Sequence, residues 1–199
     1  MKPNSLALLL IAATTVISTG CAPVLVGTAA TGALVAHDRR TTGTLIDDKS
    51  IIINLESTLF SDSQLESAHI NVTSFNGQVL LTGEVPHEGM KTRAEEIAKA
   101  DTRVRNVYNE LAIAAPSALL ARSNDVLISG KVKASLFQVD IDGFDPTRVK
   151  VTTERGIVYL MGIVTEAEAQ AATDVVRRVG GVLKVVRLFE YQAVPTNSR

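Results

Sequence analysis

The chain has 199 residues, with 20 Lys+Arg against 21 Asp+Glu, no Trp and a single Cys. Near-balanced charge and few aromatics exclude the basic, aromatic-studded surfaces that hold nucleic acid, and one cysteine excludes an internal disulfide. Apolar content is ordinary for a packed core, so the roughly 150 residues behind a leader and tether make one ordinary domain or two small ones.

The N-terminus carries Lys2, an apolar run from Leu6 to Ile17, and then Ser18-Thr19-Gly20-Cys21. A positive start, a short apolar stretch and small residues before a cut describe a secretory signal over residues 1–20. The run falls short of the roughly 20 apolar residues a spanning helix needs. The only cysteine, Cys21, sits directly behind the small residues. This resembles the lipobox of bacterial lipoproteins, whose Cys thiol receives a diacylglycerol, whose chain is cut before that Cys, and whose new N-terminus is acylated, as with palmitate. Gly20 and Cys21 match that pattern, and Ser18 stands where Leu, Val or Ile is usual. Ala22, not Asp, follows the Cys, which by the resemblance implies the outer membrane, facing the periplasm. Residues 21–44, rich in Ala, Gly and Thr and ending near Asp38-Arg39-Arg40, read as the lipidated Cys and its tether. Acyl chains contribute about 0.8 kcal/mol per buried methylene, so such an anchor is firm.

Beyond the tether the chain repeats itself. Ile70 to Gly83 and Val149 to Gly162 align at an offset of 79, with Val72, Thr73, Gly77, Val79, Leu81 and Gly83 recurring identically. Two copies of one domain follow. Ahead of each stretch a helix is predicted: Ile51, Leu55 and Leu59 recur as Ile128, Val132 and Leu136, a stripe at i, i+4, i+8. Asp47-Asp48 and Asn124-Asp125 are read as its caps. The repeated stretch is a β-hairpin. Asn76-Gly77 is a strong two-residue turn signal, and it sets Val72 against Leu81 and Ser74 against Val79, so that Ile70, Val72, Val79 and Leu81 share a face. In the second copy Arg155-Gly156 occupies the turn, and a different turn type is expected there.

A second helix follows each hairpin. Pro86 is read as its start in copy one. In copy two Thr165-Glu166-Ala167-Glu168 forms a capping box, Arg177-Arg178 complement the helix end and Gly180-Gly181 stop it. A last strand carries Val104, Val107 and Leu111, matched by Val182, Val185 and Phe189. The fold class is therefore α+β: two tandem α-β-β-α-β domains, each a three-stranded mixed sheet with two helices on one face. The domains are placed at 45–114 and 123–191, with a linker at 115–122 and a flexible tail at 192–199.

Ile51/Leu55/Leu59, Val72 through Gly83 and Val104/Val107, with their counterparts in copy two, resemble the BON domain, and two such domains behind a lipobox resemble the dual-BON outer-membrane lipoproteins. The resemblance covers essentially the whole chain. Asn106-Val107-Tyr108-Asn109-Glu110, Ser123-Asn124-Asp125 and Val149 to Glu154 carry it most specifically. It implies phospholipid binding at the envelope, support of outer-membrane integrity, and no catalysis.

The residues themselves offer little chemistry. His37, His69 and His87 form no spaced ligand set with Cys or carboxylates, so no metal, cofactor or catalytic residue is assigned. Gly77 and Gly83 are turn and strand-end glycines, not a phosphate loop. A hydrolase would need a titratable cluster that spacing does not show. Charge separates the copies: residues 46–113 hold 6 Lys+Arg against 11 Asp+Glu, and residues 124–191 hold 9 against 9. An anionic membrane should repel the first copy and tolerate the second. With Ile128, Val132 and Leu136 facing the core, the first helix of copy two exposes Leu127, Gly130, Lys131, Ala134 and Phe137, flanked by Lys133. Apolar tips beside ammonium groups suit contact with an anionic phospholipid surface. The same tips could instead pack on the other domain or on the 138–147 loop. The equivalent helix of copy one carries Ile52, Asn54, Glu56 and Thr58 away from the core and lacks the lysines, so copy one is expected to pack against copy two or to bind a protein partner. The alternative function is an adaptor that docks an envelope protein, with the lipid anchor serving only for location.

Overall fold

The computed structural model describes residues 38–192. The signal segment 1–20, Cys21, the tether as far as residue 37 and the tail from residue 193 lie outside the described residues. In chain order the first copy comprises α1 (Thr42–Ser61), a 3-10 turn (Ser63–Leu65), β1 (His69–Phe75), β2 (Gln78–Val85), α2 (Glu88–Ala100), β3 (Asn106–Asn109) and β4 (Ala112–Ile113). The second comprises α3 (Leu119–Leu136), a 3-10 turn (Pro146–Arg148), β5 (Lys150–Glu154), β6 (Ile157–Val164), α4 (Glu166–Val176) and β7 (Lys184–Tyr191). Helix α3 thus begins inside the segment read as linker.

In each copy the second strand is central. β2 runs antiparallel to β1 and parallel to β3, with β4 continuing along it. β6 lies likewise between β5 and β7. The hairpin register is the one the Asn-Gly turn dictates, with Val72 opposite Leu81 and Ser74 opposite Val79. One face of each sheet carries the helices. Ile51, Leu55, Leu59, Val72, Val79 and Leu81 build the first core, and Ile128, Val132, Leu136, Val151, Val158 and Leu160 build the second. The i, i+4, i+8 stripes therefore face inward in both copies.

Two expectations need correcting, and they share a cause. Asp48 and Asp125 are not helix caps. α1 starts six residues earlier behind Thr41, whose hydroxyl accepts from Thr44 N–H, and α3 starts at Leu119. The two aspartates lie buried within the helices and aim at the hairpin turns. Asp48 accepts from the backbone N–H of Asn76 (2.8 Å) and Gly77 (2.9 Å) and from Ser74 Oγ (2.6 Å). Asp125 accepts from the N–H of Arg155 and Gly156, both at 2.8 Å. A carboxylate bonded to two N–H groups in this way fixes the turn beneath the helix. The second turn accordingly has the same conformation as the first: Asn76 and Gly77 have φ of 53° and 73°, Arg155 and Gly156 of 54° and 73°. A bulky residue in the left-handed region is strained by about 1–2 kcal/mol, and the charge-assisted clamp from Asp125 offsets it.

The second helices follow the predicted chemistry in one copy only. Thr165 and Glu168 close the capping box of α4. In copy one Pro86 lies ahead of the helix, and the side chain of His87 at its N-cap makes no capping hydrogen bond.

The other faces of the two sheets pack on each other. β2 is buried along its whole length. Phe75, Leu80, Tyr159, Met161 and Leu188 form a third apolar cluster, edged by Tyr108, Ile157, Ile163 and Val186. Thr73 and Thr152, equivalent residues of the repeat, touch through their hydroxyls at 3.2 Å. Asn71 donates to Glu154 (2.9 Å), and its equivalent Lys150 donates to the Ser74 carbonyl (3.0 Å). Contacts between equivalent residues mark a local two-fold relation between the copies. The copies therefore meet sheet to sheet, so copy one packs against copy two, and it does so through its sheet. The residues before α1 span the junction. Arg39 pairs with Glu168 (2.8 and 3.0 Å) and donates to the Ile163 carbonyl, while Arg40 pairs with Asp38 and Asp48 and stacks over Phe75.

Candidate functional site

With both sheets covered, the outer sides of the first helices remain open. On α3 the residues at 120, 123, 127, 130, 134 and 137 alternate in steps of three and four and so form one ridge. Leu120, Leu127 and Phe137 on it are 83%, 63% and 74% exposed. Gly130 and Ala134 lie exposed between them, and a side chain built at Gly130 would meet open space. Lys131 and Lys133 flank the ridge on opposite sides, both exposed. All six residues singled out from sequence (Leu127, Gly130, Lys131, Lys133, Ala134, Phe137) thus lie on the solvent side of one helix. The exposure of Leu127 and Phe137 disfavours their packing on the other domain or on the 138–147 loop.

Phe137 and Lys133 also border a groove of about 460 Å³ at the junction of the copies, lined by Arg40, Phe75, Val149 and Lys150 among others. Burial, and then repulsion from Arg40 and Lys133, pushes the Lys150 ammonium below its ordinary range. Lys133, Lys150 and the Asp-paired Arg40 thus gather at the end of the ridge.

The equivalent face of α1 differs from expectation. Ile52 packs against the first core. The exposed apolar residues are Ile46, Ile53 and Phe60, at 61%, 68% and 93%, spaced by seven and so aligned on one side. Sequence reasoning missed them because the stripe is sparse and serines fill its gaps. Asn54 and Glu56 stand where α3 has Lys131 and Lys133.

A separate polar cluster lies between the domains. His69 Nδ1 and Glu84 Oε2 are 2.9 Å apart across the β1–β2 pair, and Glu154 of β5 joins them from the second domain. Burial acts to raise the Glu84 carboxyl, but His69 and the approach of the Ser117 N–H and hydroxyl outweigh it and hold it below its usual range. Burial pushes the Glu154 carboxyl up despite the bond from Asn71, and the charge on Glu84 adds to the rise. The histidine spacing gave no hint of this group, because its members come from three strands. His87 is exposed and apart from it, and His37 lies outside the described residues.

Residues 47–115 and 124–193 both match the BON domain. The chain belongs to the BON-domain family, in a tandem two-domain form. It is similar to the outer membrane lipoprotein DolP of Haemophilus influenzae, at 38% identity over 89% of this chain and 91% of the relative. It is also 36% identical to a 21 kDa hemolysin of Actinobacillus pleuropneumoniae, over 77% of this chain and 79% of that one. Among solved structures, CdsD, a structural protein of the Chlamydia trachomatis type III secretion system, overlaps 73% of this chain and 94% of its own at 13% identity and a TM-score of 0.30. No helix among the described residues is long and apolar enough to cross a membrane.

Proposed function

We propose that this protein is a non-enzymatic lipoprotein, processed after residue 20 and acylated at Cys21, held on the periplasmic side of the outer membrane. Its second BON domain binds anionic phospholipid there and so supports outer-membrane integrity. One observation carries the lipid reading: the ridge Leu120–Leu127–Gly130–Ala134–Phe137 is exposed on α3 and flanked by Lys131 and Lys133, with no carboxylate on the same face. Apolar tips enter the acyl boundary while each ammonium near an anionic surface contributes about 1 kcal/mol. The acylated tether belongs to the same proposal, with the folded part already begun at Arg39 and Arg40 and the first helices of the two domains starting at Thr42 and Leu119; the likeness to an outer membrane lipoprotein supports it.

A second reading, docking of an envelope protein, is favoured for α1 by its Ile46–Ile53–Phe60 stripe beside Glu56 in a domain of net negative charge. Vesicle flotation of the full chain separates the two. Phosphatidylglycerol vesicles should carry the protein up and phosphatidylcholine vesicles should carry less. Changing Lys131 and Lys133 to Glu should weaken anionic binding by at least about 30-fold, two charges' worth. Gly130→Asp should weaken it without unfolding the protein, since its side chain meets open space. Equal flotation of the double variant would leave the acyl anchor as the sole membrane link and favour the adaptor.

A further inference from the structure

We propose that His69, Glu84 and Glu154 form a site for one borderline divalent cation, of which Zn²⁺ is the best match, and that the bound ion ties the two domains together. One donor atom from each residue lies within 4.8 Å of the others. His69 and Glu84 face each other in the hairpin register of the first domain, and Glu154 ends β5 of the second. The ion would therefore bridge the domain junction.

The electrostatics of the cluster call for a cation. Glu84 is 1% and Glu154 7% exposed, and buried carboxylates are stable only when paired or when they ligate a metal. His69 and the Ser117 N–H and hydroxyl serve Glu84, and the amide of Asn71 serves Glu154. Glu84 Oε1 is buried and closes no hydrogen bond. A divalent ion would satisfy Oε1 and remove the repulsion between the two carboxylates.

The donor set selects the class of ion. One imidazole nitrogen and two carboxylate oxygens suit zinc and its first-row neighbours, whereas Ca²⁺ and Mg²⁺ take oxygen shells. Ligand bonds of about 2.0–2.2 Å require the three side chains to draw together by small torsional changes. Asn71 already orients Glu154 from outside, at 2.9 Å, the supporting role that outer hydrogen bonds play around metals. A cavity of about 230 Å³, lined by His69, Asn71, Glu154 and Arg122, gives the ion a way in and room for a water ligand. Arg122 also lines this cavity, and its Nε donates to Ser117 Oγ at 3.3 Å.

Calorimetric titration of the chelator-treated full chain with ZnCl₂, paired with thermal unfolding, tests this. The expected result is one equivalent bound and an unfolding midpoint raised by several degrees, with excess CaCl₂ failing to displace the zinc. Glu154→Gln and His69→Gln should each weaken binding at least tenfold and abolish the rise in midpoint, while His87→Ala should change neither. Glu154→Gln preserves shape and the bond from Asn71, so it decides the matter even if His69→Gln unfolds. Absence of binding, or binding that survives Glu154→Gln, overturns the proposal.

Discussion

Helices α1 and α3 do the same work inside and different work outside. Each turns a three-residue apolar stripe to its own core and reaches with one buried aspartate to the hairpin turn. Each also leaves an apolar ridge in solvent. The ridges differ in what surrounds them: Lys131 and Lys133 on α3, Asn54 and Glu56 at the matching places on α1. After duplication the inward face is constrained by packing, and the outward face is free to acquire a partner. Apolar exposure alone does not distinguish a membrane contact from a protein contact; the sign of the neighbouring charge does.

The inward likeness breaks most visibly at the turn clamps. Asp48 serves two backbone N–H groups, Ser74 and Arg40, whereas Asp125 serves two backbone N–H groups. Asp48→Ala leaves a guanidinium half-paired and three donors without their acceptor, and should cost about 3–5 kcal/mol. Asp125→Ala should cost about 2–3 kcal/mol. Chemical denaturation of the two variants measures the difference, and equal losses would remove Arg40 from the account of the first clamp. A smaller effect of opposite sign is expected at Arg155, which holds φ 54° in the place of Asn76. Asn tolerates the left-handed region better than Arg, so Arg155→Asn should stabilise the second domain by about 0.5–1 kcal/mol, read as a rise in unfolding midpoint.

Much of this was legible in sequence, and the rest fails for identifiable reasons. The offset repeat, the Asn76-Gly77 turn and the stripes at 51/55/59 and 128/132/136 determine the fold, because turn chemistry and periodicity are local. The capping box at Thr165 was equally visible. Asp48 and Asp125 were misread because a buried carboxylate reaching a turn some 30 residues away looks, in sequence, like a helix cap. The sheet-to-sheet junction had a signal that went unused: Val79-Leu80-Leu81 and Ile157-Val158-Tyr159-Leu160-Met161 are continuous apolar runs, the mark of strands buried on both faces. The α3 residues were found because their complement, the core stripe, was clear. The cluster at His69, Glu84 and Glu154 had no sequence signal at all, since it exists only where the two domains meet.

The central claim, that α3 and not α1 meets the membrane, is open to one direct measurement. The chain has no Trp, so Leu127→Trp and Ile53→Trp each provide a single reporter at an exposed apolar position, one on each ridge. Tryptophan emission is recorded as phosphatidylglycerol vesicles are added. A blue shift at 127 with none at 53 is the predicted result. A shift at 53 alone, or equal shifts at both positions, would contradict the assignment of lipid recognition to the second domain.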